Sequence, residues 1–245
     1  MSLRLDTVFG HIRKAREDMS PGRVVDVGSD HGQTAIRSLS SGAATYALCT
    51  DINEGPAKIC GTNLAAAGDS DKASVIVTDG LDGVALKEED IIVISGLGGL
   101  NTIDILKRAF EDNEDLIVHK TALVLQPQKT IEDLRRFLRE NLFKIKDETS
   151  IKDSGFHYVV LTAVWSGTYD RPDLSDMAYS YLGPVLLQKY RDGDPDAAEH
   201  YEYLQRTLGM RARASLECKE ALNLLNDIKL PYLPCTNSAN ICKKI

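Results

Sequence analysis

The sequence predicts an α/β fold: a doubly wound, mainly parallel sheet that finishes in an antiparallel hairpin and carries a small C-terminal α-helical, coiled-coil-like domain. Three observations carry this. Short apolar runs rich in β-branched residues alternate with segments of helical period over the first 140 residues. Two longer strand-like runs, 143–151 and 156–165, are joined by the turn Lys152-Asp153-Ser154-Gly155. From residue 174 onward the composition shifts to helix formers. The 245 residues suit one full domain with an appendage, divided as 1–168, 169–230 and a tail, 231–245, expected to be disordered.

In order along the chain, residues 3–17 place Leu3, Leu5, Val8, Phe9 and Ile12 roughly on one helical face, with Arg13, Lys14 and Arg16 towards the end. The apolar run 24–27 suits a central parallel strand, and a helix over 33–40 follows. A second strand over 44–50 ends at Asp51, a helix runs from 55 or 56 to 67, and a third strand over 73–78 ends at Asp79-Gly80-Leu81. The clearest strand is Asp90-Ile91-Ile92-Val93-Ile94-Ser95, closed by Gly96-Leu97-Gly98-Gly99 and expected to be buried on both faces. A helix over 102–110 leads to a fifth strand over 121–125, then to Gln126-Pro127-Gln128 and a helix over 130–140. The terminal region reads as helices over 174–191, 197–207 and 210–228, with a break at Asp192-Gly193-Asp194-Pro195.

Chemistry concentrates in Arg23-Val24-Val25-Asp26-Val27-Gly28-Ser29-Asp30-His31-Gly32. A strand meets a glycine-bounded turn there, the junction at which doubly wound sheets place a nucleotide. A pyrophosphate site wants G-x-G-x-x-G, and here Asp26 and Asp30 would repel it. Two carboxylates beside the bend suit a cationic ligand, and S-adenosylmethionine, with its sulfonium, ammonium and adenosine, fits. Asp26 has a second reading, fixing the turn by accepting backbone N–H groups. Asp51 lies 23 positions after Gly28, where an acidic residue on a ribose diol is expected; a helix cap is its alternative. Asp79 stands where an adenine amino group could be read, or simply opens a D-G turn. The loop after the fourth strand lacks the Asn-Pro-Pro-aromatic pattern of enzymes that methylate exocyclic amines, and offers no side chain to grip an amine. Gln126 and Gln128 offer paired donors and acceptors for a base edge, with Pro127 stiffening the loop.

Composition narrows the classes. Hydrophobic residues make up 43 %, enough for an ordinary core, and no apolar run approaches the roughly 18 residues of a membrane helix. With no signal-peptide pattern at the start, a cytoplasmic location is expected. Five scattered cysteines without a C-x-x-C pair argue against a disulfide framework or structural zinc, and no metal is expected. A net charge of −7 excludes a strongly basic nucleic-acid wrapper but leaves room for a local basic face.

The chain resembles the bacterial tRNA methyltransferases that act on N1 of adenine 22. The resemblance runs over 3–228 through Arg4-Leu5, Asp26-Val27-Gly28-Ser29-Asp30-His31, Asp79-Gly80-Leu81, Ser95-Gly96-Leu97-Gly98-Gly99, Leu125-Gln126-Pro127 and Leu182-Gly183-Pro184. It implies a Rossmann-like class I methyltransferase sheet, S-adenosylmethionine as cofactor and tRNA as partner. Cofactor contacts are expected from Asp26, Gly28, Ser29, His31, Asp51, Ile52, Asp79, Gly80, Ser95, Gly96, Leu97 and Gly98. Substrate contacts are expected from Arg4, His31, Gln126, Pro127, Gln128 and Tyr158. Asp30 is the expected catalytic group, stabilising the positive charge that develops on adenine. The chain has Gly32-Gln33-Thr34-Ala35 where the family has Ala-Tyr-Leu-Pro, Leu97 where it has Met, and Gln128 where it has Asn. Competing readings are a methyltransferase for a small molecule or protein, a non-catalytic cofactor-binding module and, more distantly, a nicotinamide oxidoreductase. The oligomeric state stays open between monomer and weak dimer.

Overall fold

A computed structural model describes residues 2–112, 121–170 and 174–228. The expected disordered tail, 231–245, lies outside the described residues. Seven strands form one sheet: β1 (Arg23–Val27), β2 (Tyr46–Asp51), β3 (Ala73–Val77), β4 (Ile91–Ser95), β5 (Ala122–Gln126), β6 (Phe143–Asp153) and β7 (Phe156–Trp165), in the order β3-β2-β1-β4-β5-β7-β6. The first five pair in parallel, and β7 runs antiparallel to both β5 and β6. The strand order reverses between β1 and β4, so their carboxyl ends diverge into a crevice.

Alternation along the strands sorts side chains onto two layers. Val25, Val27, Ile92, Ile94, Leu123 and Leu125 pack on one face against α4 (Gly99–Asp112) and α5 (Ile131–Glu140). Val24, Ile91, Val93, Ala122 and Val124 face the other way, onto Val8 and Ile12 of α1 (Leu3–Glu17). Towards β2, Ala47 and Cys49 pack on Ala35 of α2 (Gln33–Ser40) and on Cys60 and Leu64 of α3 (Glu54–Ala66). β4 is buried on both faces, as its all-apolar run predicts.

Two C-terminal helices differ from expectation. The helix expected over 174–191 is two, α6 (Asp176–Leu182) and α7 (Pro184–Arg191), because Gly183 takes φ +78° and Pro184 has no N–H to continue the ladder. The helix expected over 210–228 starts late. α8 (Pro195–Arg211) runs through residue 211, and α9 (Leu216–Asp227) opens only where the Ser215 hydroxyl accepts from the Cys218 N–H at 3.2 Å. The break at 192–195 stands, with Asp194 capping α8 through the Ala197 N–H at 2.8 Å.

The helices are fastened by a buried ion pair. Arg135 and Glu148 have fully buried side chains 2.8 Å apart. Arg135 also donates to the carbonyls of Ser180 and Tyr181 at the end of α6, at 3.0 and 3.2 Å. The second Glu148 oxygen accepts the N–H groups of Val185 and Leu186 at the start of α7, at 2.9 and 3.1 Å. Each charge thus meets the helix end that complements it. Tyr179 completes the join by lying within the sheet's own core cluster.

Candidate active site

The crevice at the β1–β4 reversal is a cleft of about 490 Å³. Of the residues expected at the site, Gly28, Asp51, Ile52, Asp79, Gly80 and Leu97 line it. Gly28 takes φ +69°, a region open to glycine, which turns the chain off β1. The backbone N–H groups of Gly28 and Ser29 both donate to the Thr50 carbonyl, at 2.8 and 3.0 Å, so the turn is bolted to the end of β2. Asp51 sits beside it, 8 % exposed, accepting the N–H of Asn53 at 2.9 Å on one oxygen and that of Asp30 at 3.3 Å on the other. A carboxylate has further lone pairs, so Asp51 can still accept from a ligand diol. Gly80 holds the opposite wall: a Cβ there would meet Ile105 at 2.7 Å.

Asp26 does not line the cleft. It is buried beneath the turn, 4 % exposed, and accepts the Ala35 N–H, supplying the cap that Gly32 at the start of α2 has no side chain to give. Burial pushes its carboxyl up to about 7. Ser29 is buried too, its hydroxyl donating to the Cys60 thiol at 3.5 Å. Asp30 and His31 point to solvent on the outer side of the turn, with Asp30 Oδ2 3.6 Å from His31 Nε2.

A second group of expected residues meets at the loops after β4 and β5. These loops are zipped together: Gly96 N–H donates to the Gln126 carbonyl at 3.0 Å, Gln128 N–H to the Leu97 carbonyl at 2.8 Å and Gly99 N–H to the Lys129 carbonyl at 2.9 Å. Gln126 is fully buried, its amide oxygen accepting from Ser95 and its amide nitrogen donating to the Pro127 carbonyl, so it shapes the loop from within. Gln128 is exposed, and its amide converges with the Arg4 guanidinium on Gly96, each within 3.9 Å of where a Cβ would stand. Tyr158 lies under Arg4, ring centre to guanidinium carbon 5.7 Å. The missing Cβ at Gly96 leaves bare backbone facing two polar side chains.

Sequence reasoning missed several cleft residues. Asn53, Asn101 and Ile105 line it, and Arg108 at its edge pairs with Asp79 at 3.3 Å, Asp82 at 2.8 Å and also Asp104. The signal for Asn101 and Ile105 was present: a glycine loop leading directly into a helix turns that helix's first residues towards the crevice. Lys129, beside Gln128, lies along Gly98 and makes no ion pair among the described residues. No group of three or more His, Cys, Asp and Glu among the described residues could hold a metal ion, and no helix among them is long and apolar enough to cross a membrane.

Known proteins resemble this chain in sequence and in fold. A family model describing a methyltransferase domain matches residues 1–161. A Mycoplasma pneumoniae protein proposed to be a tRNA methyltransferase is 31 % identical over 93 % of this chain and its own whole length. The tRNA (adenine(22)-N(1))-methyltransferase of Bacillus subtilis is 29 % identical over 77 % of this chain and 76 % of its own. The crystal structure of a B. subtilis m1A22 tRNA methyltransferase superimposes with a TM-score of 0.69 at 26 % identity, covering 93 % of this chain and 94 % of that one. A Streptococcus pneumoniae protein solved in complex with S-adenosyl-L-methionine has the same fold, with a TM-score of 0.74 at 23 % identity over 93 % of this chain and 98 % of that one. With its reversed strand order, strand-end acids and glycine loops, the chain belongs to the methyltransferase-domain family and, within it, to the bacterial tRNA (adenine-22-N1)-methyltransferases.

Proposed function

We propose that this protein transfers a methyl group from S-adenosylmethionine to N1 of an adenine in tRNA, adenine 22 being the target named for its B. subtilis relative. The observation that carries the reading is the adjacency of two half-sites: a cleft with an acid at the end of β2, and beside it bare Gly96 backbone faced by Arg4 and Gln128. The residues present fit the cofactor. Asp51 has free lone pairs for ribose hydroxyls, Ile52 and Gly80 line the same cleft and offer it apolar surface and bare backbone for a ring, and Gly28 lets a ligand approach the backbone. When bound, S-adenosylmethionine supplies a methyl group activated on a sulfonium.

The rest falls to this chain's own residues. N1 of neutral adenine carries a lone pair, so no base is required to deprotonate it, and positioning dominates. Arg4, Gln128 and Tyr158 orient the extruded base, with Gln126 and Pro127 holding the loop that presents Gln128. Positive charge develops on the adenine as it is methylated, and we assign its offset to Asp30, an exposed carboxylate on the turn after β1 that would have to swing towards the bound base. Asp26 acts from below, fixing the turn that carries Asp30. The test is transfer of labelled methyl to unmodified tRNA transcripts, followed by nucleoside mass spectrometry and position mapping. N1-methyladenosine at position 22 is the expected product; measured cofactor binding without any incorporation would refute the reading.

A further inference from the structure

A second cleft, of about 260 Å³, opens on the far side of the zipped β4 and β5 loops. Its floor is the β5 loop from Pro127 to Thr130, and its opposite wall is α8. Two rings on that side, His157 and Tyr203, stack with centres 4.2 Å apart and planes 12° from parallel, so they act as one rigid aromatic slab. Lys129, exposed and with no ion pair among the described residues, is part of the lining, while Arg211, also in the lining, is held by Glu132 at 3.0 Å. His200 forms part of the lining; it is 7 % exposed, one ring nitrogen has no hydrogen-bond partner, and burial lowers its pKa to about 3, so the ring is neutral. Tyr158 belongs to this cleft and, through its contact with Arg4, to the acceptor side of the first.

We propose that this cleft binds a second nucleotide of the RNA substrate, one flanking the nucleotide that is methylated. The inference rests on the tRNA-methylation reading. An extruded base at Gly96 draws its neighbours across the β5 loop, because the backbone continues from the flipped position on both sides. A stacked His–Tyr pair offers a flat face to any base, and an unpaired lysine in the lining suits the linking phosphate. The surrounding protein is acidic overall, so recognition here depends on local placement rather than on bulk charge.

The test measures kcat, the KM for unmodified tRNA and the Kd for S-adenosylmethionine on the full-length protein. Tyr203→Ala should raise the KM about tenfold with kcat and cofactor affinity unchanged, and Tyr203→Trp should restore it, the size expected for one stacking contact. Lys129→Ala, on an exposed side chain that folding does not need, should raise the KM several-fold and flatten the salt dependence of RNA binding. Transcripts with a single abasic nucleotide next to the target identify the base: the lesion that weakens the wild type should add nothing in Tyr203→Ala. Wild-type KM in both alanine variants, or abasic penalties that simply add to that of Tyr203→Ala, would overturn the proposal. A wild-type protein that methylates no tRNA would instead refute the reading it rests on, so the two failures are distinct.

Discussion

Asp26 makes a measurable claim about pH. Its carboxyl is raised from 3.8 to about 7 by burial beneath the Gly28 turn, while in the unfolded chain it returns to the ordinary value. Between those limits the folded state holds a proton that the unfolded state releases, so Asp26 contributes stability that is fully present below about pH 4 and lost as pH rises through 7. From pH 5 to pH 8 the loss is about 2 pKa units, or about 3 kcal/mol. Asp26→Asn keeps an oxygen to accept the Ala35 N–H and cannot ionise. Any fixed cost of burying the amide is the same at both pH values and cancels in the comparison. Urea unfolding of both proteins at pH 5 and pH 8 should show the variant gaining about 3 kcal/mol on the wild type across that interval. The neighbouring Cys60 thiol is held below its usual range chiefly by a hydrogen bond from Cys49, so the series is repeated in a Cys60→Ala background, which removes it as a second source of the proton. A difference independent of pH, or one that vanishes with Cys60, would refute the assignment of this proton to Asp26.

His11 shows the opposite dependence. It is buried between the hydroxyls of Thr162 and Thr149, at 2.7 and 3.0 Å, and burial lowers its pKa from 6.5 to about 4. Its contribution is present above pH 6.5 and lost as pH falls, so the wild type should lose about 3 kcal/mol relative to His11→Gln between pH 7 and pH 4 by denaturant titration. Gly183→Ala should cost about 3 kcal/mol, because the new Cβ would lie 2.5 Å from Arg135 and 2.7 Å from Glu148 at φ +78°. Gly209→Ala, with open space around its Cβ inside α8, should instead stabilise by about 1 kcal/mol; calorimetry reads both. Gly80→Ala drives a Cβ into Ile105 and should weaken S-adenosylmethionine binding by about tenfold or more in isothermal titration, with the unfolding midpoint as the folding control. Asp30→Ala should cut turnover about a hundredfold and leave cofactor affinity intact; lost cofactor binding would make Asp30 a ligand-holding group instead.

The sheet was legible because each strand announces itself by period and by its ending. The run from Ile91 to Ile94, apolar throughout, can only be central, and glycines after β1 and β4 mark where the backbone must bend towards a ligand. The cleft acids followed, since Asp51 is placed by a spacing that the β1-turn-α2-β2 geometry imposes. What escaped depends on contacts between distant segments. No local pattern says that Arg4 reaches Gly96 from residues 92 positions earlier, or that His157 stacks on Tyr203. One helix break was in the sequence but overlooked: Gly183-Pro184 divides α6 from α7, and Glu148 then accepts the amides that the break leaves free. Gln126 and Gln128 are chemically identical on paper. Only where the strand stops tells them apart: Gln126 is the last residue of β5 and is buried, whereas Gln128 lies in the loop beyond Pro127 and stays in solvent.

The fastening of Arg135, Glu148 and Gly183 also bears on how this protein can change over generations. None of the three can be replaced singly without baring a buried charge or driving a methyl group into one, so each is held in place by the other two. Substitution at this joint has to be concerted. Relatives lacking the arginine should lack the acid as well and be free to carry a side chain at the position of Gly183. A chimera that exchanges the terminal helices alone would inherit half a lock. Exchange succeeds only when the cut falls before residue 135, so that the unit of inheritance includes the last two strands together with the helices that follow them.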